Sequence, residues 1–163
     1  MISTALAMAC VHAQVPPGAR LAGQGRLLWW GLPVYDARLW APPGFTPRGL
    51  ARQPFLLELT YLRSLRGADI ARRSIEEMRR AGGFEPAQAL RWQAQLEALL
   101  PDVAAGDRIA ALNAPGRGAV FYVNGKAAGE ITDARFAELF FAIWLGPDTS
   151  EPGLRASLLK DAP

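Results

Sequence analysis

The clearest pattern in the chain is the alternation of Phe55, Leu57, Leu59 and Tyr61 against Glu58 and Thr60. Side chains repeat every two residues along a strand, so Phe55 to Arg63 predicts a β-strand with one apolar face. An earlier run, Leu21 to Leu39, is rich in aliphatic and aromatic residues, and Gly31 and Pro33 split it into two strands or mark a bulge. Near its end Tyr35, Ala37 and Leu39 point one way, and Val34, Asp36, Arg38 and Trp40 the other. Ala41 to Pro54, crowded with proline and glycine, reads as a loop.

Helical spacing takes over at Gly67. Ile70, Ser74 and Met78, beside Ala71 and Ile75, make the inward stripe of a helix reaching about Arg80. Its other side offers the pairs Asp69–Arg73, Arg72–Glu76 and Glu76–Arg80. A second helix, from Pro86 to about Leu100, turns Leu90, Trp92, Leu96 and Leu99 inward and ends at Pro101. Three short strands follow, near Arg108 to Leu112, Ala119 to Val123 and Ala127 to Ile131. Asn124-Gly125 joins the last two as a type I′ hairpin, because both residues tolerate positive φ. Thr132 or Asp133 caps an apolar helix running to Leu145, and Ser150 caps a final one reaching about Lys160, with Pro152 in its first turn. Segregated runs of strands and helices predict an α+β fold with an antiparallel sheet rather than a doubly wound parallel one.

A chain of 163 residues fits one domain. Residues Met1 to Ala13 carry no charged side chain and include an apolar run from Ala5 to Ala9 before Val11-His12-Ala13, which approximates the small-x-small pattern of a signal-peptidase site. We therefore expect a leader over residues 1–13, lacking a basic start, a single domain over residues 14–163, and a periplasmic or secreted destination. Cys10 and His12, the only residues of their kinds, lie in that leader. A mature part without thiol or imidazole excludes a cysteine nucleophile, a Ser-His-Asp triad and a Cys/His metal site, so neither a metal nor a cofactor is implied. No segment after the leader is long and apolar enough to span a membrane. The excess of Lys and Arg over Asp and Glu, 18 against 15, is too small to suggest a nucleic-acid partner.

Carboxylates, tyrosine, lysine and arginine remain as candidate chemistry. Tyr61 and Arg63, two apart at the end of the surest strand, supply a phenol and a guanidinium at the rim of an apolar face, which suits the carboxylate of an amphipathic ligand. The same residues also fit a core aromatic with a wet tip and an arginine reaching solvent. Ser74 either faces a ligand or bonds its own carbonyl four residues back. Asp36 and Arg38 read as a surface pair, the arginine-rich helix as a solvated face, and Gly116-Arg117-Gly118 as a turn, since a strand rather than a helix follows it.

Three stretches taken in order resemble the chalcone-isomerase-like superfamily, particularly its bacterial exported members: Gly31-Leu32-Pro33-Val34-Tyr35-Asp36-Ala37-Arg38-Leu39, Leu57 through Met78, and Phe121 through Leu159. The resemblance implies an open-faced β-sandwich, a large antiparallel sheet with helices layered on one face and a ligand cleft between. It also implies where the isomerase groups would fall. The strand threonine matches Trp30, the helix tyrosine Ile70, the asparagine Glu77 and the late hydroxyl Ala137, and the arginine matches Arg20 or Arg26. Without that phenol, amide and hydroxyls, chalcone cyclisation loses its means of stabilising the phenolate.

Non-catalytic relatives of the resembled family bind fatty acids. The expectation is therefore a binder of a small amphipathic or fatty-acid-like ligand with no catalytic residue, its carboxylate near Arg63, Arg20 or Arg26 with Tyr61 and Ser74 alongside. Two other readings stay open. One is an isomerase or lyase using Tyr61 as acid and Glu77 or Asp36 as base. The other is a structural or partner-binding envelope protein, its cleft filled by Trp29, Trp30, Trp92 and Trp144.

Overall fold

The structure, a computed structural model, describes residues 14–162, so the expected leader lies outside the described residues, Cys10 and His12 with it. Six strands form one antiparallel meander in which each pairs with its neighbour in sequence. They are β1 (Arg20–Trp29), β2 (Leu32–Ala41), β3 (Phe55–Tyr61), β4 (Arg108–Ala114), β5 (Gly118–Val123) and β6 (Lys126–Ile131). Four helices, α1 (Gly67–Ala81), α2 (Pro86–Leu99), α3 (Ala134–Leu145) and α4 (Pro152–Leu158), supply the other layer. This is the expected α+β class.

Strand phase decides what faces the helices. Tyr35, Ala37 and Leu39 of β2 align with Tyr61, Leu59 and Leu57 of β3, and this row joins the buried core. The apolar face of α3 fills the space over it. Phe141 packs edge-on to Phe55 at 4.7 Å, Phe140 to Phe121 at 5.3 Å, and Phe136 to Trp92 at 5.6 Å. Asp133 starts α3 by accepting from the amides of Arg135 and Phe136, and its other carboxylate oxygen accepts from Trp92 Nε1 at 3.2 Å, tying α2 to α3. Buried Asn113 on β4 donates to the carbonyls of Leu50 and Gln53 at 2.8 and 2.7 Å, which pins the long 42–54 connection to the sheet.

The sequence reading needs three corrections here. Leu90 is exposed, because the buried stripe of α2 is Ala89, Trp92 and Leu96, and a residue two before Trp92 lies on the far side of a helix. Ser150 does not cap α4: Glu151 holds that position, and the Ser150 hydroxyl donates to Glu77 instead. On α1, Arg72–Glu76 forms as expected, but Asp69 pairs with Arg66 and Arg72, while Arg73 pairs with Glu76 and Glu77.

The C-terminal helix seats against the first strand through Gly23 and Gly25. A methyl group at Gly23 would overlap the carbonyls of Ser157 and Leu158, so only glycine permits this approach. Just beyond α4 the Asp161 amide donates to the Ala22 carbonyl at 2.8 Å. Gly23→Ala is expected to cost about 1–3 kcal/mol, read as a melting temperature lower by roughly 2–10 °C.

On the sheet face away from the helices, Arg26 Nε and Nη2 grip Asp36 at 2.7 and 3.1 Å, and Arg38 turns to Gln24 rather than to Asp36. The Arg26 hydrogen bonds hold the Asp36 carboxyl below its usual value, against a smaller opposing effect of burial. A depressed carboxyl stabilises the fold above its unfolded value of about 4 and loses that contribution as the pH falls through the folded value. Asp36→Asn should therefore lower thermal stability slightly at neutral pH, a difference that closes below about pH 4 in paired thermal melts.

Candidate functional site

The layer between sheet and helices is filled by the protein's own rings. Trp92, Phe121, Phe136 and Phe141 are all at most 2% exposed. At one end of this layer strand register brings two phenols together: Tyr35 and Tyr61 are direct partners across β2 and β3, edge to face with centroids 5.8 Å apart. Trp144, one α-helical turn past Phe140, donates its Nε1–H to the Tyr35 hydroxyl at 2.9 Å. Neither tyrosine hydroxyl donates to an acceptor among the described residues.

Burial dominates the electrostatics of both phenols. It pushes Tyr35 well above the ordinary tyrosine range. The Trp144 hydrogen bond opposes that, the Glu151 and Glu77 carboxylates add to it, and Arg73 draws it back. Tyr61 is pushed up further by burial and then by its neighbour Tyr35. Both remain protonated across the physiological range and present O–H donors.

The charges beside Tyr35 come from α1 and the segment entering α4. Glu77 has a side chain only 11% exposed; its Oε1 meets Arg73 Nη2 at 2.6 Å and its Oε2 accepts from Ser150 Oγ at 2.7 Å. A carboxylate engaged at both oxygens is held in place, with its hydrogen-bonding committed to Arg73 and Ser150.

Of the residues expected from the sequence, Tyr61 stands in this cluster. Ser74 lies in the buried stripe of α1, with its hydroxyl donated to the Ile70 carbonyl at 2.8 Å, four residues back in its own helix. Arg63 is exposed just beyond β3 and makes no ion pair or hydrogen bond to the described residues. Arg26 is on the opposite sheet face, held by Asp36, because strand phase sets both against Tyr35. Arg20 sits at the other end of β1, lining a surface cleft of about 190 Å³ with Leu21, Pro42 and Asp161. The structure thus separates Arg20 and Arg26 from Tyr61, and Asp36, being across the sheet from Tyr61, is no base for it.

Among the positions matched to isomerase groups, Trp30 stands at an exposed hairpin tip, Ile70 is half-buried on α1, and Ala137 offers a buried methyl. Sequence reasoning missed Tyr35 and Trp144 as site groups. Tyr35 carried a usable signal, since it shares the apolar face of Ala37 and Leu39 just as Tyr61 shares that of Leu57 and Leu59.

A larger cleft of about 360 Å³ lies between the Pro47 to Arg52 stretch and α3, walled by Leu50, Leu139, Ala142 and Pro147. Its charged residues Arg52, Glu138 and Asp148 are all exposed, and Glu138 is paired with Arg135. Volume alone favours this cleft; the uncommitted donors favour the tyrosine pair, and these decide the assignment because recognition needs oriented polar groups.

A fatty-acid binding protein of Arabidopsis thaliana, known from its crystal structure, superposes with a TM-score of 0.70 over 91% of this chain and 90% of that one, at 14% identity, a likeness of fold. An uncharacterized protein of Haemophilus influenzae is 25% identical over 137 residues, which span 84% of this chain and 66% of that protein's length. The family model described as chalcone isomerase-like matches residues 31–160, which run from the β1–β2 turn to the end of α4. The match leaves out β1 but takes in the other five strands and all four α-helices of the described residues, and on it the chain belongs to the chalcone isomerase-like family.

Proposed function

We propose that this protein binds a compact amphipathic acid without transforming it, the acid's carboxylate accepting from the Tyr35 and Tyr61 hydroxyls. The observation that carries this reading is the pair of neutral phenols, Tyr61 buried and Tyr35 half-buried, whose protons have no acceptor among the described residues. For a neutral phenol donor an anionic oxygen is the partner that gives the strongest hydrogen bond. Arg73 and exposed Arg63 supply positive charge from α1 and the end of β3.

Catalysis is disfavoured by the same geometry. The phenols are held in their acid form, Glu77 is occupied at both oxygens, and the positions matched to isomerase groups bring Ile70 and Ala137 in place of a phenol and a hydroxyl. The shared fold with a fatty-acid binding protein supports the ligand class. The ring-filled interior favours a short apolar part over a long acyl chain. Export through the leader is part of the same reading.

Isothermal titration with octanoate tests it. Tyr35→Phe and Tyr61→Phe should each weaken binding about tenfold or more, and Tyr61→Phe should leave the melting temperature unchanged or slightly higher. Unaltered binding by the double variant would place the ligand elsewhere. A second reading, a structural or partner-binding role, is favoured by Trp92 and Trp144 filling the layer. It takes precedence if the parent ignores octanoate and native mass spectrometry of the purified protein shows no co-purifying small molecule.

A further inference from the structure

The β1–β2 hairpin ends in a cluster of exposed apolar side chains: Leu28, Trp29, Trp30 and Leu32 are 52, 61, 88 and 54% exposed. The turn itself is Trp30-Gly31, with φ of 51° and 76°, so both central residues are left-handed as in a type I′ turn. The β5–β6 hairpin makes the same kind of turn with Asn124-Gly125, at φ of 50° and 84°. Asparagine suits that position; tryptophan, bulky at the β-carbon and nearly bare to water, is strained there and gains no packing in return. The Leu62 amide bonds the Val34 carbonyl at 2.9 Å, which sets Arg63, a cation with no partner among the described residues, beside Pro33 at the base of the tip.

We propose that this tip docks the protein on the surface of an anionic phospholipid bilayer, with the two indoles and flanking leucines at headgroup depth and Arg63 against lipid phosphate. Indole rings have an apolar body and an N–H that favour this zone, and a neighbouring arginine adds attraction to negative lipid. Shape and charge argue against a protein partner or a second copy. The tip is a narrow two-stranded projection rather than a broad face, and the cation at its base, Arg63, has no partner among the described residues, which suits a negatively charged lipid surface. Docking requires no bound ligand and stands apart from the proposed function, although the Tyr35–Tyr61 pair lies at the same end of the sheet.

The test is flotation of the full chain with phosphatidylcholine vesicles prepared with and without phosphatidylglycerol. The parent should float with the anionic vesicles, and Trp30→Asn combined with Trp29→Ser should reduce the bound fraction on the order of tenfold or more. Trp30→Asn alone should keep or raise the melting temperature, since asparagine relieves the turn, so a loss of binding by that variant is not a loss of fold. Arg63→Gln should narrow the difference between the two vesicle types. Parent protein that fails to float with either vesicle overturns the proposal, as does equal flotation of the double variant, which would place the contact elsewhere in the chain. A concentration-dependent dimer abolished by the same substitutions, without vesicle binding, would assign the tip to self-association instead.

Discussion

The packing of α3 onto the sheet is the contact on which the other features depend. Phe136, Phe140, Phe141 and Trp144 recur at helical spacing, and each meets an aromatic partner: Trp92 of α2, Phe121 of β5, Phe55 of β3 and Tyr35 of β2. One helix therefore fixes the position of three strands and of a second helix. Aromatic side chains bring large buried area and directional edge-to-face preferences, so this arrangement sets geometry as well as stability. The Asp133 cap adds a polar lock at its start, where Trp92 is held by the same carboxylate that begins the helix.

That packing also explains the character of the candidate site. Trp144 is the last ring of the α3 face, and by donating to Tyr35 it occupies an acceptor site of the phenol and leaves the O–H able to donate. Strand register does the rest by placing Tyr61 opposite. The result is a pair of neutral donors produced by packing alone, with a carboxylate and a guanidinium from α1 tied off nearby. These two donors are the groups on which the proposed anion binding rests.

Much of the fold was legible because each element buries one face at a fixed period. β3, α1, the Asn124-Gly125 hairpin and the Asp133 start of α3 follow directly from spacing and turn chemistry. Leu90 misled because α2 has only a shallow difference between its faces, so a leucine on the side away from Trp92 counted as core. The site was less legible for a different reason. Tyr61 could be placed on an inward face from its own strand, but Tyr35 became its partner only through β2–β3 register, and Arg26 was set beside Asp36 on the far side by β1–β2 register. Trp144 and Ser150 reach the site across a sequence gap of 109 residues to Tyr35 and 73 to Glu77, distances no local pattern encodes.

The meeting of α4 with β1 has a consequence for how the chain matures. The strands pair in sequence order, β3 with β4 across the intervening α1 and α2, and a meander of this kind accumulates order as the polypeptide lengthens. The outermost strand differs, because its glycines and the Ala22 carbonyl wait for Ser157, Leu158 and Asp161. An emerging chain can assemble most of the sheet early, yet leaves that border unguarded until its final turn arrives. Completion is thus a single late event that joins the two extremities and shields a strand edge otherwise open to pairing with other chains.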